Sequence, residues 1–316
     1  MLATPGTRLK INGPKNDLPR EAKVKASDFA YFRARSVSDA VAAFRKCAGD
    51  ARYLAGGQSL LAMMNLRLVV PDLLIDIASI EVLKGIELRG SEVRVGALAR
   101  HFEILNSPVI TAHVPLLSAA APWVAHPAVR NKGTMGGSIA LADPAAEFPA
   151  VVLALNARVE LDNGERVRFV TAKDFFLDLH KTAAEPEEIL SAVWFPVSAP
   201  GIRCCFHELA RRRGDTAIVG VAVVAVLQAG IVTEISIVFF AVGPTPTSAA
   251  RAEAALTGSD LSDRHISACL ELLGDDLSAS NDLHVSSATR LHLARVLLGR
   301  QLIKLRLPAV EAAVTP

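Results

Sequence analysis

The stretch His126-Pro127-Ala128-Val129-Arg130-Asn131-Lys132-Gly133-Thr134-Met135-Gly136-Gly137-Ser138 decides how this chain is read. It opens a region, His126 to Pro149, that has little periodicity and is punctuated by Pro127, Pro144 and Pro149. It is expected to be a long constrained loop, and such loops inside a compact domain are usually functional. A second glycine pair, Ala55-Gly56-Gly57-Gln58-Ser59-Leu60, follows directly on a predicted strand over Ala51 to Ala55. Paired glycines let the backbone approach a ligand without Cβ interference. Consecutive N–H groups in such a turn form an anion-binding nest, and Gln58, Ser59, Thr134 and Ser138 add side-chain donors. Two separate loops of this kind suit a diphosphate held from two sides. A lone Gly-Gly pair is more often a tight turn. Neither loop carries a GxGxxG fingerprint or a Walker A lysine pattern. Spacing by itself therefore stops at a nucleotide or phosphate site.

Outward from these loops the chain alternates between periods. Ser38 to Cys47 reads as a helix with Val41 and Phe44 on one face, capped by Ser36 or Ser38. Leu73 to Ile77 reads as a strand. Val82 to Leu88 and Glu92 to Val95 read as a hairpin turning at Arg89-Gly90-Ser91. Helices are expected from His101 to Leu105 and from Leu116 to Val124, the latter broken at Pro122. Val151 to Leu155, Ala157 to Leu161 and Arg166 to Val170 are read as strands, the last two joined at Asp162-Asn163-Gly164-Glu165. Pro196 to Gly201 has the composition of a domain boundary. Beyond it, Arg203 to Leu209, Ala217 to Leu227 and Thr233 to Ala241 read as three antiparallel strands. Helices follow near Ser248 to Leu256, Ile266 to Leu273 and Ser287 to Leu305. The expected organisation is an arm over 1–25, a domain over 26–200 divided near residue 80, a C-terminal domain over 201–308, and a tail over 309–316.

Composition narrows the function classes. The length of 316 residues suits about two domains. Hydrophobic residues make up 51% and charged residues 21%, which is globular rather than disordered. A net charge of +2 offers no clustered basic footprint for nucleic acid. The 4 cysteines show no CxxC spacing, so neither a disulfide framework nor a chain-borne zinc or iron–sulfur site is expected. Met1 to Lys25 lacks the apolar core of a secretory signal. Ala217 to Ala229 is too short to span a bilayer and reads as a buried strand, so no transmembrane segment and a cytoplasmic location are expected.

With these residues in place, the chain resembles the FAD-binding medium subunit of the molybdenum hydroxylases, the carbon monoxide dehydrogenase and xanthine dehydrogenase family. The likeness runs from about Phe29 to about Leu305. It rests on His126 to Ser138, on Ala142-Asp143-Pro144-Ala145-Ala146-Glu147-Phe148-Pro149, and on Ala55 to Leu60 with Arg67-Leu68 and Leu74-Ile75-Asp76-Ile77. Arg211-Arg212-Arg213-Gly214-Asp215 matches the family's Arg-rich Gly-Asp turn. The resemblance implies an α+β fold: a vanillyl-alcohol-oxidase-type (PCMH-like) FAD-binding domain of two α/β subdomains, plus a C-terminal domain with a three-stranded antiparallel sheet and helices.

Residue by residue, it implies that Leu54, Ala55, Gly56, Gly57, Gln58, Ser59 and Leu60 hold the diphosphate. It places Thr134, Gly136, Gly137 and Ser138 near diphosphate and ribityl, and Glu147 on ribityl or ribose hydroxyls, which an acceptor-only carboxylate suits. Leu190 matches a position near adenine or ring, and His207 to Arg213 should lie near the isoalloxazine. Asp143 either contacts FAD or caps its own loop beside Pro144. Two positions depart from relatives: Thr216 replaces an aromatic residue, and His207 stands where xanthine dehydrogenase-like members carry Lys. No Cys-rich insertion for an iron–sulfur cluster is present.

The function implied is electron transfer. A large partner subunit would carry the molybdopterin cofactor and a small one 2Fe-2S clusters, and the resemblance implies a dimer of such heterotrimers. Electrons would pass from the clusters through FAD in this chain to an external acceptor. A stand-alone FAD-dependent oxidoreductase would need an acid or base over the flavin, and no catalytic residue of that kind is evident. A scaffold subunit that has lost FAD fits poorly with two intact glycine loops and Glu147.

Overall fold

The computed structural model describes residues 25–306, so the expected tail, and the expected arm up to residue 24, lie outside the described residues. Among the described residues, three sheets of three or more strands follow one another along the chain. The first is built from β1 (Ala30–Arg33), α1 (Val37–Lys46), β2 (Ala51–Leu54), α2 (Leu60–Asn65) and β3 (Leu73–Asp76). Its strands run parallel in the order β1-β3-β2. Helix α1 forms because Ser36 accepts from the Asp39 N–H at its start, while Val37, Ala40 and Val41 bury one face. Its crossover joins β1 to β2, and α2 leads from β2 to β3.

The second sheet has the order β4-β5-β10-β6-β7. Its strands are β4 (Ile86–Arg89), β5 (Glu92–Gly96), β6 (Arg158–Asp162), β7 (Val167–Thr171) and, after a small hairpin, β10 (Ile189–Pro196). All its pairings are antiparallel. Between β5 and β6 lie six short helices: α3 (His101–Leu105), α4 (Pro108–His113), α5 (Pro115–Ala120), α6 (Pro127–Arg130), α7 (Met135–Leu141) and α8 (Glu147–Ala154). A one-turn helix, α9 (Ala172–Phe175), and the hairpin β8 (Phe176–Asp178) with β9 (Lys181–Thr182) follow β7.

The C-terminal sheet has the order β11-β12-β13-β14. It comprises β11 (Ile202–Leu209), β12 (Val219–Gln228), β13 (Ile231–Phe240) and β14 (Thr247–Ser248), with α10 (Ala250–Leu256), α11 (Asp263–Asp276) and α12 (Ser287–Arg306) after it. The three expected strands are present, and the two-residue β14 adds a fourth at the edge. One face of this sheet packs on α11 and α12 through Val219, Val221, Val223, Ile237, Leu273, Leu298 and Leu302. Its other face contributes Phe206, Ala222, Val238 and Phe240 to the core that also holds Val93, Leu117, Phe148, Val152 and Val159.

The structure corrects three sequence expectations. Val151 to Leu155 is not a strand; it closes α8, whose residues Phe148 to Val152 are all buried. A short run that is apolar all round carries no period to separate a buried strand from a buried helix, and Pro149 is tolerated in the first turn. The region His126 to Pro149 is not a continuous loop, because Pro127 at the first position of α6 and Thr134 capping α7 nucleate short helices within it. Val82 to Leu88 does not run as one strand: Glu81–Leu83 is a 3-10 turn, and Gly85 at φ +87 resets the chain before β4. No helix among the described residues is long and apolar enough to cross a membrane.

Candidate functional site

The two glycine loops meet. A Cβ on Gly56 would lie 2.1 Å from the Lys132 carbonyl oxygen, so the backbones of the β2–α2 loop and the α6–α7 turn approach as closely as only glycine permits. In the first loop Gly57 takes φ +70, and Gln58 Nε2 donates to the Gly56 carbonyl at 3.1 Å. The Leu61 N–H donates back to Gly57 O at 3.2 Å, which starts α2. Ala55 to Gly57 are half-buried, and Gln58 and Ser59 are exposed.

The second loop is fastened to the segment after β5. His101 N–H donates to Gly133 O at 3.0 Å, Met135 N–H to Ala99 O at 2.9 Å, and Gly136 N–H to Ala97 O at 2.8 Å. Gly136 is required there, since a Cβ would come within 2.5 Å of Ala97 Cβ. Thr134 caps α7 by accepting from the Gly137 N–H at 3.1 Å. Gly136 is buried, whereas Gly137 is exposed and Ser138 half-buried.

A cleft of about 870 Å³ opens where the loops touch, lined by Ala55, Gly56, Lys132 and Thr134 from the loops. Sequence reasoning missed its other wall, which includes Lys84, Arg100, Phe102, Asn106 and Ser107. These residues belong to no motif; the hairpin and the segment after β5 carry them to the loops. Three cations, Lys84, Arg100 and Lys132, against one acid, Glu103, together with first-loop backbone and the hydroxyls of Ser107 and Thr134, make a lining that suits an anionic ligand, and the volume lies in the usual range for a cofactor site.

The remaining expected residues lie apart from that cleft. Asp143 caps its own loop, accepting from the Ala145 N–H at 2.9 Å. Leu190 on β10 is a core residue beside Ser191, whose carbonyl accepts from Ala97 N–H at 2.9 Å. His207 on β11 is half-buried, with its ring 4.6 Å from that of Trp123. Burial lowers its pKa, with Lys304 and Arg300 acting in the same direction against a backbone hydrogen bond at Glu208. The Arg-rich turn docks nearby: a Cβ on Gly214 would lie 2.7 Å from the His126 ring, and the Arg213 guanidinium lies 6.0 Å from the Trp123 ring.

Glu147 begins α8 and is half-buried. Burial pushes its carboxyl up to about 7, helped by Asp143 and opposed by its own backbone N–H and by Arg130. Arg130 is held in place by donating to the carbonyls of Val124 at 2.8 Å and Ala125 at 2.7 Å. His101, buried under Gly133, is lowered to about 4 by burial and then by Arg130.

Comparison with known proteins gives this geometry a context. Residues 27–198 match the family described as the FAD binding domain in molybdopterin dehydrogenase, and residues 204–305 match the CO dehydrogenase flavoprotein C-terminal domain. The chain is 38% identical over 258 residues to the nicotine 6-hydroxylase medium subunit of Paenarthrobacter nicotinovorans, covering 81% of this chain and 89% of that one. It is 40% identical over 217 residues to the carbon monoxide dehydrogenase medium chain of Hydrogenophaga pseudoflava, covering 69% and 76%. Among solved structures, a chain of the carbon monoxide dehydrogenase from Hydrogenophaga pseudoflava lacking the Mo-pyranopterin moiety superposes with a TM-score of 0.86. That match has 35% identity and covers 90% of this chain and 99% of that one.

Proposed function

The chain belongs to the family of FAD-binding medium subunits of the molybdenum hydroxylases, and from that premise we propose that it is the electron-transferring flavin subunit of a heterotrimeric hydroxylase or dehydrogenase. In this reading electrons arrive from 2Fe-2S clusters on a small partner subunit, after substrate oxidation at a molybdopterin centre on a large one. They leave through FAD to an external acceptor, and two heterotrimers pair in the complete assembly.

The observation that carries the reading is the junction of the two glycine loops, where Gly56 lies against Lys132 at the mouth of a cationic cleft. Leu54 to Leu60 would hold the FAD diphosphate with backbone amides and the Ser59 hydroxyl; from the second loop Thr134 and Ser138 would add hydroxyls while Gly136 and Gly137 keep the backbone close, the amides of Met135 to Ser138 being bonded within the fold. Lys84 and Arg100 would offset its charge. Glu147 would accept from ribityl or ribose hydroxyls, Leu190 would back the loop from the sheet, and His207 would flank the ring from the C-terminal domain. Bound FAD exchanges one or two electrons, which suits it to a place between single-electron clusters and a two-electron acceptor. The chain's own part is to bind and orient the cofactor and to keep water from it.

The test is to express the chain with and without its two partner subunits and follow the flavin spectrum. Acid-released FAD and flavin bleaching by substrate only in the three-subunit complex are expected. Substrate-dependent bleaching of the isolated chain would overturn the reading in favour of a stand-alone oxidoreductase.

A further inference from the structure

Arg45 and Glu187 play no part in the scheme above. Arg45 stands in the last turn of α1, and Glu187 lies just ahead of β10. The Arg45 guanidinium grips the Glu187 carboxylate with two bonds, Nε to Oε2 at 3.0 Å and Nη2 to Oε1 at 2.8 Å. Such a fork is the geometry that a planar guanidinium suits. The remaining nitrogen, Nη1, donates to Glu165 Oε1 at 2.7 Å, in the turn between β6 and β7. Glu187 has a second partner from the first sheet: the Tyr53 hydroxyl donates to its carbonyl at 2.7 Å. Tyr53 lies on β2, and its ring stacks on that of Phe44 in α1 at 5.3 Å.

These contacts border an apolar seam. Leu98 and Ile189, from beside the second sheet, are buried in one cluster with Val37, Val41, Ala51 and Ile75 of the first. Apolar burial is non-directional, so it holds the two sheets together without fixing how one slides over the other. The fork on Glu187 is directional. Glu187 is itself held still, because its neighbour Glu188 takes two bonds of 2.6 Å from Arg168 and one of 2.8 Å from the Glu185 N–H. Arg168 also donates to Ala183 O at 2.8 Å, which fastens this whole turn to β7. Both glycine loops take their places from it. Tyr53 leads directly, through Leu54, into the first loop at Ala55. On β10 the Ser191 carbonyl accepts from Ala97 N–H, and the Ala97 carbonyl accepts from Gly136 N–H of the second loop.

We propose that Glu187 is a positioning residue for the flavin site: gripped by Arg45 and Tyr53, it locks the first sheet against the second and so sets the gap between the two glycine loops. None of these three residues lines the cleft, so they act on it through the backbone of β2 and β10. When the clamp opens, fewer chains hold the loops at the right spacing, and the apparent affinity for a ligand that bridges them falls by that fraction. The Arg45 guanidinium holds the Glu187 carboxyl below its ordinary range, so the clamp is charged at neutral pH. The effect on FAD rests on the flavin reading; the clamp itself does not.

The experiment is hydrogen exchange of the full chain without cofactor, at low and high salt, for wild type, Arg45→Met, Glu187→Gln and the double variant. Both single variants should exchange faster over residues 54–65, with the second loop unchanged and the double variant no faster than either. Salt screens charges that solvent reaches, so it should speed the first loop in wild type and leave it level in Arg45→Met. In parallel, FAD titrations followed by flavin fluorescence should show about fivefold weaker binding in each single variant and no further loss in the double. Arg45→Lys, which keeps the charge without the fork, should recover part of the loss. Unchanged first-loop exchange, additive losses in the double variant, or faster exchange with unaltered FAD affinity would overturn the positioning role. Faster exchange throughout the chain would overturn it too, as the mark of general destabilisation. If a charge variant does not accumulate, Tyr53→Phe removes one hydroxyl, keeps the ring on Phe44 and should show the same local signature; its absence there refutes the clamp. Faster first-loop exchange in the variants, with no FAD uptake by any of the proteins, would instead remove the flavin reading and leave the clamp standing.

Discussion

At the residue scale, the site depends on positions where a single carbon is too much. Gly56 faces the Lys132 carbonyl oxygen, a backbone atom that cannot rotate away, with 2.1 Å left for a Cβ. Gly56→Ala must push the loops apart, and FAD affinity measured by fluorescence quenching should fall at least about tenfold, the cost of overpacking by more than 1 kcal/mol. Gly243→Ala is the matched control, since its Cβ would meet nothing closer than Ser278 O at 3.7 Å, and it should bind as wild type. His101 gives a different signature. Burial under Gly133, with Arg130 nearby, holds its pKa at about 4, below its ordinary value of 6.5. Between those values the unfolded chain binds the extra proton, so this contribution to stability is complete above pH 6.5 and is lost as the pH falls towards 4. The loss amounts to about 3 kcal/mol at most. Urea unfolding of wild type and His101→Gln at pH 7.5 and pH 4.5 should show the smaller pH dependence in the variant.

At the element scale, the short helices around the second loop depend on their ends more than on their length, because isolated helices this short are marginal. Thr134 supplies the cap of the seven-residue α7. Thr134→Ala should cost about 1 kcal/mol in denaturant unfolding, and Thr134→Ser should recover most of it. How much could be read from sequence follows from the same physics. The strands β6, β7, β11, β12 and β13 were legible because half-burial imposes alternation, or because a Gly or Pro turn bounded each run. The glycine loops were legible because close backbone approach leaves Gly as its trace. Helix α8 was not legible, since Phe148-Pro149-Ala150-Val151-Val152 is buried on all sides and has no polar face to reveal its period. Lys84 and Arg100 were missed because tertiary folding alone brings them to the loops.

At the scale of the whole molecule, the boundary at Pro196 to Gly201 separates two segments in sequence without separating two cores. Phe206, Ala222, Val238 and Phe240 belong to the same buried cluster as Leu117, Phe148 and Val152. The Ala241 N–H donates to Pro144 O at 2.7 Å across the seam, and the Arg290 guanidinium, paired with Asp282, donates to the carbonyls of Ile218 and Ala241 behind it. A chain cut after residue 200 would therefore expose the apolar side of α5 and α8, and it should aggregate or bind a hydrophobic dye instead of folding as a free domain. The intact chain should melt in one transition. Ligand linkage then distinguishes a joint core from two loosely docked domains. Adding FAD at about 100 times its dissociation constant stabilises whatever unfolds with the site by about 2.7 kcal/mol. If the core is joint, hydrogen exchange in β12 and β13 of the C-terminal sheet slows together with that in the glycine loops. If only the loops and their immediate neighbours slow, the seam is a docking surface between independent units, and the proposed approach of His207 to the flavin holds only while that docking lasts.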